Sequence, residues 1–208
     1  MDKKIDLHKW KRKVHFEFFN QFEEPFHGVT VEMDMTTCVA STSKHGYSLT
    51  RYYMFQFIKT IQQSEAFRLR IRNGEVFLLD PVHLGTTVLK ADETFNYILI
   101  PYAHDFLNFD QNYIRALQEG KLRQGLFPNG EDTDRQIHTS VLPWTKFSSL
   151  SHARQLKGQD SVPKVSFGKI TRSSDSISMP ISIHVHHALV DGLHVGLFIK
   201  KFQENLDS

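Results

Sequence analysis

Two adjacent histidines near the C-terminus, His186 and His187, are followed after three apolar residues by Asp191 and Gly192. Residues 181–186 alternate between apolar and polar side chains, which predicts a strand, whereas the residues after Gly192 have helical spacing. A rigid element end is a common place for a catalytic group, and a neutral imidazole accepts a proton near pH 7. The pattern therefore predicts a strand–helix junction that could present a general base.

The histidines in this part of the chain leave three interpretations open. The first is structural, with each ring hydrogen-bonded in or near the core. The second is a metal site, because His184 and His186 point to one face of a strand, but no ligand set at a recognised metal spacing accompanies them. The third is general base catalysis, which also needs an orienting partner and a stabiliser for an oxyanion. Asp191 is close enough to serve the local geometry, and Gly192 permits a tight turn.

The hydrophobic pattern predicts the elements that must position this junction. Helical spacing is found at residues 6–22 with Asp6 as N-cap, at 50–64, from Asp105 towards Gly120, and at 195–206. Alternation predicts strands at 29–35, 67–72, 75–79, 85–90, 94–100, 136–142, 163–170 and 179–186. Asn73-Gly74 predicts a tight hairpin turn, and 121–135, 148–161 and 173–176 have loop or turn composition. Without a regular βαβ alternation, this order predicts an α/β fold, a single-domain two-layer sandwich over residues 1–208 with a mixed sheet covered by helices.

Composition narrows the class of protein. The chain has 208 residues, of which 40% are hydrophobic and 17 are Phe, so aromatic-lined cavities are easy to build. A net charge of +2 does not support dedicated nucleic-acid binding, and the Gly-rich nucleotide-binding motifs are absent. Cys38 is the only cysteine, so no intrachain disulfide forms. Neither a signal segment nor an apolar run of ~20 residues is found, and we expect a cytoplasmic protein that does not enter the membrane.

Four stretches carry a resemblance to a known family. Residues 186–192 resemble the HHxxxDG signature of CoA-dependent acyltransferases. Residues 10–18, 126–130 and 140–144 are similar to the opening helix, the LFP segment and the SxLPW segment of the type A chloramphenicol acetyltransferases. The four motifs occur in the family's order over nearly the whole chain. The resemblance implies an acyltransferase fold and a reaction without an acyl-enzyme intermediate.

The same resemblance implies roles for individual residues. His187 corresponds to the general base, and Asp191 to the carboxylate that pairs with the arginine of the first helix, here Arg12. Ser140 corresponds to the serine that donates to the oxyanion. Ser166 replaces a threonine that holds an ordered water.

Binding residues are implied in the same way. Aromatic residues expected to line the acceptor pocket are Phe18, Phe19, Phe95 and Phe127, and the pocket also includes Leu150. Lys169 corresponds to a lysine near the phosphates of acetyl-CoA, the co-substrate, and no metal is expected. The chain departs from the family's usual residues at Phe19, Glu23, His27, Leu150, His152 and Val190, which bears on acceptor affinity.

The function implied by the resemblance is acetyl transfer from acetyl-CoA to a hydroxyl of chloramphenicol, which inactivates the antibiotic. The family also implies a homotrimer whose active sites lie at subunit interfaces. Two alternatives remain open. One is an acyltransferase of the same fold with another alcohol or a dihydrolipoyl thiol as acceptor. The other is a non-catalytic relative that serves as a binding module.

Overall fold

The computed structural model describes residues 2–128, 133–154, 160–174 and 176–208. Its helices are α1 (Lys13–Phe19), α2 (Thr36–His45), α3 (Leu49–Gln62), α4 (Phe106–Leu122) and α5 (Gly192–Leu206), with a 3₁₀ turn at Glu65–Arg68. Its strands are β1 (Lys3–Lys4), β2 (Phe26–Asp34), β3 (Leu69–Arg72), β4 (Glu75–Leu78), β5 (His83–Leu89), β6 (Phe95–Ile100), β7 (Gln136–Val141), β8 (Lys164–Phe167), β9 (Thr171–Arg172) and β10 (Ile177–His186).

The main sheet has seven strands in the order β2-β10-β8-β7-β5-β6, with β9 paired to one end of β10. The β5–β7 and β7–β8 pairs are parallel, and the remaining neighbours are antiparallel. A second, three-stranded sheet has the order β1-β4-β3. The mixed sheet packed against helices confirms the predicted α/β fold.

The two faces of β10 differ in polarity. Ile181, Ile183 and Val185 are fully buried and belong to the same core as Phe57 of α3 and Phe198 of α5. Apart from Pro180, the alternate side chains of β10 are polar. Because cross-strand neighbours lie on the same face of a sheet, the register continues this polar face across the neighbouring strands. It contains two rows: Ser182–Ser166–Ser140, and His184–Lys164–His138.

The predicted helix over 6–22 is wrong in its first half, since α1 begins at Lys13. The backbone N–H of Ile5 donates to Val76 in β4, which ties the N-terminal segment to the small sheet. Asp6 therefore heads a turn and accepts the His8 N–H at 3.0 Å, where an N-cap was expected.

Other differences arise where tertiary contacts override local pattern. Arg70 lies on the predicted strand over 67–72, where arginines alternate with apolar residues, but it is fully buried and donates to four backbone carbonyls: those of Phe67, Leu69, Asp134 and Gln136. Phe67 itself lies in the 3₁₀ turn, outside β3. Helix α2 was not predicted, because its sequence is rich in Thr and Ser and carries no strong apolar stripe.

The structure confirms several local predictions. Asn73 and Gly74 have φ of 52° and 76° in the tight hairpin turn. Asp105 caps α4 by accepting the Asn108 N–H at 3.0 Å. Three predicted features lie partly outside the described residues: residues 129–132 at the end of the LFP segment and in the loop over 121–135, residues 155–159 of the loop over 148–161, and Asp175 of the turn over 173–176.

Candidate active site

The candidate base follows β10 in a turn that is tied to the neighbouring strand. The His187 N–H donates to the Pro25 carbonyl at 2.8 Å, just before β2 begins. The N–H groups of Leu189 and Val190 both donate to the His186 carbonyl at 3.0 Å. These bonds close the turn within itself and hold it against the chain at Pro25. The backbone of His187 is thereby restrained on both sides.

Arg12 provides a second restraint on the same turn. It is the N-cap residue of α1, and its guanidinium Nη1 is hydrogen-bonded to Asp191 Oδ2. Its Nη2 also donates to the backbone carbonyl of His187 at 3.3 Å. The side chains of Arg12 and Asp191 are 15% and 31% exposed, so solvent screens this ion pair only partly. One guanidinium therefore connects α1 to both ends of the turn.

Asp191 also begins α5. Its Oδ1 accepts the N–H of Leu193 at 3.1 Å and that of His194 at 3.4 Å, as an N-cap carboxylate does. The His194 ring Nδ1 lies 2.7 Å from Oδ1 and 3.3 Å from the Asp191 N–H. The Asp191 N–H donates to this Nδ1, which closes a capping box at the start of α5. Burial raises the pKa of Asp191, but the hydrogen bonds from Arg12 and the His194 amide outweigh burial and bring its pKa to about 2.

The imidazole of His187 lies between two rings. It stacks on Phe19 with centroids 3.8 Å apart and an interplanar angle of 5°. On β2, the His27 ring lies 4.4 Å away and is tilted by 39°. The His187 Nδ1 atom is buried and has no hydrogen-bond partner among the described residues. The residue as a whole is partly exposed, and because Nδ1 is buried, Nε2 is the ring nitrogen that could meet a reactant.

His27 and His186 both support the turn as neutral rings. The His27 Nε2 lies 3.1 Å from the Val190 carbonyl, to which it donates, and burial is the main cause that lowers its pKa. His186 is 6% exposed, contacts Phe26 edge-on, and accepts the Ala188 N–H at its Nδ1. Burial lowers the pKa of His186 to about 4, which keeps the ring neutral and able to accept that bond.

Ser140 lies in a different part of the molecule, beside a cavity of about 720 Å³. The aromatic residues predicted for the acceptor pocket divide between the two regions. Phe95 and Phe127 line the cavity with Ser140, whereas Phe18 and Phe19 lie next to His187. Two groups of predicted site residues are therefore formed.

The sheet register separates these groups within one chain. Ser140 lies opposite Ser166, and Ser166 lies opposite Ser182, which is five residues before His187. Two strand spacings and five residues along a strand place the Cα atoms of Ser140 and His187 roughly 19 Å apart. Ser140 cannot contact a group that is bonded to His187 of the same chain.

The remaining predicted binding residues occupy other positions. Ser166 is 1% exposed in the middle of the sheet. Leu150 does not line the cavity, but its carbonyl accepts the His184 ring Nε2 at 2.9 Å. Lys169 is exposed after β8, and its backbone N–H donates to Thr145 at 2.9 Å. Within the described ranges, no cluster of His, Cys, Asp or Glu could hold a metal ion, and no helix is long and apolar enough to span a membrane.

Sequence reasoning did not assign site roles to Tyr97, His138 and Lys164, which also line the cavity. One available signal was the strand period, because His138 is two residues before Ser140 and so shares its face. No local signal could have identified the contact between His27 on β2 and His187 in the turn after β10, because the two residues are far apart in the chain.

Comparison with solved structures shows which proteins share this fold. The fold is shared with acyltransferases: a solved "chloramphenicol acetyltransferase" has a TM-score of 0.86 at 24% identity, covering 99% of this chain and 100% of the other. A structure described as a probable dihydrolipoamide acetyltransferase from Listeria monocytogenes has a TM-score of 0.65 at 13% identity, covering 99% and 94%.

The sequence comparisons are more specific. The family model described as chloramphenicol acetyltransferase matches residues 2–203. A relative from Escherichia coli, "Chloramphenicol acetyltransferase 3", is 29% identical over 206 residues, which is 99% of this chain and 97% of the relative. The chain belongs to the chloramphenicol acetyltransferase family, and it is an acyltransferase.

Proposed function

We propose that this protein transfers an acetyl group from acetyl-CoA to a hydroxyl of chloramphenicol. The full-length family match supports the reaction, and the names of the curated relatives support the acceptor. The observation that carries the proposal is the His187 turn. Arg12 binds its backbone carbonyl, Phe19 stacks on its ring, and His187 is partly exposed, which supports its role as proton acceptor.

His187 acts as the general base of this reaction. It takes the proton of the acceptor hydroxyl as the hydroxyl oxygen attacks the thioester carbonyl. The tetrahedral intermediate then collapses, the carbon–sulfur bond breaks, and the departing CoA thiolate takes the proton from the imidazolium. The proton removed from the acceptor thus ends on the CoA thiol, and these steps use neither a metal nor a covalent enzyme intermediate. Asp191 and Arg12 position the turn and transfer no proton.

Ser140 donates its hydroxyl to the oxyanion of that intermediate, a contact that can only form if Ser140 and His187 come from different chains. Loss of one such donor typically lowers kcat by about 100- to 1,000-fold. Ser166, on the strand next to Ser140, helps to bind the acceptor. Lys169 is exposed and binds the phosphates of CoA.

The protein works as a homotrimer with a site at each subunit interface. Large aromatic side chains are exposed beside both halves of the site: Phe18 and Phe22 near His187 are 59% and 45% exposed, and Phe95 and Trp144 near Ser140 are 47% and 71% exposed. Exposed apolar surface of this kind marks an interface. A cyclic head-to-tail arrangement brings one chain's His187 surface to the next chain's Ser140 surface and closes after three copies. The whole chain acts as one acetyltransferase domain in the cytoplasm.

Thiol release from acetyl-CoA tests the proposal. Purified protein should release free CoA only when chloramphenicol is added, and His187→Ala should lower kcat by at least about 100-fold while the circular dichroism spectrum stays native. The exposed His8→Ala variant is the matched control and should retain full activity. If the protein acetylates other alcohols but not chloramphenicol, the natural acceptor is a different alcohol. If it acetylates no acceptor, the result favours a non-catalytic binding module.

A further inference from the structure

The backbone N–H groups of the turn after β10, residues 187–191, all have acceptors. The first four bind at Pro25 and at His186, through the carbonyls of both residues and Nδ1 of the His186 ring. The fifth, the N–H of Asp191, donates to Nδ1 of His194 at 3.3 Å. An amide withdrawn from water without an acceptor costs free energy comparable to a lost hydrogen bond, so each of these acceptors helps to fix the turn.

The peptide unit between Val190 and Asp191 is held at both ends by imidazole rings. At one end, Nε2 of His27 lies 3.1 Å from the Val190 carbonyl. At the other end is Nδ1 of His194. Because a carbonyl only accepts and an amide N–H only donates, these contacts assign a proton to His27 Nε2 and a free lone pair to His194 Nδ1. The peptide bond is planar, so fixing its oxygen and its N–H together fixes the orientation of the whole unit.

His27 links this peptide unit to the candidate base. Its backbone is fixed by strand pairing, opposite Val185 of β10, and its ring is oriented by the bond to the Val190 carbonyl. The same ring lies 4.4 Å from the ring of His187. A rotation of the peptide unit would move the carbonyl that holds His27 and so loosen one of the two rings beside His187. His194 therefore stands at the far end of a continuous series of contacts that reaches the base.

The His194 ring has a rigid support. It belongs to the first turn of α5, whose Val195 and Phe198 are buried in the core. The ring also lines a cavity of about 390 Å³ together with Arg12 and Leu189. A Leu or Gln side chain at this position therefore has room without displacing the core, which makes the residue suitable for substitution.

We propose that His194 is a positioning residue that orients the Val190–Asp191 peptide and, through it, the His27 ring. The inference rests on the proposed function, because it takes His187 as the general base. In this role His194 touches neither reactant and acts through the alignment of the imidazole with the acceptor hydroxyl. Misalignment of a reacting group slows the chemical step more than it weakens substrate binding. Loss of His194 should therefore affect kcat much more than KM.

Steady-state kinetics by thiol release with chloramphenicol test this split. His194→Leu removes the acceptor and should lower kcat about 5- to 10-fold while KM stays within about 2-fold. His194→Gln should recover most of the loss, because a Gln at the third helical position can accept the N–H of the N-cap residue. Gln203→Ala is the matched control: it removes bonds between the other end of α5 and Asp34, and it should lower stability without changing kcat. Equal kcat values for His194→Leu and Gln203→Ala, or no recovery in His194→Gln, would overturn the proposal.

A double-variant cycle tests the path through the peptide unit. If His27 and His194 act through the same peptide, their effects on kcat should not multiply. His27→Leu should also lower kcat, and the variant that combines it with His194→Leu should lose no more than about 2-fold beyond the worse single variant. Losses that multiply would place the two residues on separate paths and would refute the relay.

Hydrogen exchange separates this role from the proposed function. Exchange of the Asp191 amide should be at least about 10-fold faster in His194→Leu than in Gln203→Ala, and His194→Gln should restore the wild-type rate. If the wild type acetylates neither chloramphenicol nor another alcohol, the proposed function fails, and the exchange rates still decide whether His194 fixes the turn. Equal exchange of this amide in wild type and His194→Leu would show that it does not.

Discussion

The ring of Phe19 lies parallel to the imidazole of His187, with centroids 3.8 Å apart. Phe19 is the last residue of α1, and Arg12, at the other end of this seven-residue helix, binds the His187 carbonyl. The short helix thus holds both the ring and the backbone of the candidate base. Phe19, expected from the resemblance to line the acceptor pocket, also restricts the rotation of His187.

Arg12 should matter for stability and rate together. Arg12→Ala removes the ion pair with Asp191 and frees the His187 carbonyl, so we expect a loss of about 1–3 kcal/mol in the free energy of unfolding and a lower kcat. Urea denaturation and initial rates measure the two effects. Lys13→Ala, which removes only an exposed i,i+4 pair with Glu17, is the control. Unchanged stability and rate in Arg12→Ala would contradict the positioning role.

Phe19 can be tested by changing the ring while keeping its stacking. Phe19→Tyr retains the aromatic face and should keep kcat within about 3-fold, whereas Phe19→Ala removes the stacked ring and should lower kcat by about 10-fold or more. Phe22→Ala, which removes another ring of the same aromatic cluster without touching the stack on His187, is the matched control. Equal kcat values for Phe19→Ala and Phe22→Ala would show that the stacking has no kinetic role.

The separation of Ser140 from His187 predicts complementation between inactive variants. Ser140→Ala and His187→Ala should each be nearly inactive alone. After co-unfolding and refolding of an equal mixture, random trimers should recover about a quarter of the wild-type activity, because a site needs an intact His187 and a neighbour's intact Ser140. Solution mass should show trimers. Recovery of no activity from well-formed mixed trimers would place both residues of each site on one chain.

Stability should fall as the pH falls from about 6.5 towards 4. His186 has an ordinary pKa near 6.5 when unfolded and about 4 when folded, so below pH 6.5 the unfolded state binds the proton first. The contribution of neutral His186 is complete above pH 6.5 and is lost as the pH decreases, by an amount on the order of 2–3 kcal/mol. Burial also lowers the pKa of His152, so His152 contributes to the same pH dependence.

Urea denaturation at pH 7.5, 6.0 and 4.5 measures this slope. His186→Asn, which removes the titrating ring, should flatten the curve, and the exposed His8→Asn should leave it as in wild type. A wild-type stability that is constant across this range would contradict a neutral buried His186.

Local pattern in the sequence was sufficient to predict the elements that carry the candidate base, His187. The change from period 2 to period 3.6 around Gly192 correctly placed β10 and α5, and Asn73-Gly74 correctly placed a hairpin. These features depend on residues close to one another in the chain, where side-chain alternation and turn chemistry are encoded directly. The predicted pairing of Arg12 with Asp191 came from the family resemblance and is present in the structure.

Tertiary structure alone decided how the site is divided. The order β10-β8-β7 and its register separate Ser140 from His187, and the pairing of β2 with β10 brings His27 next to the candidate base. Burial of Arg70 and the start of α1 at Lys13 likewise depend on partners far along the chain. Strand order and register are set by the packing of whole faces, so periodicity within one segment cannot reveal them.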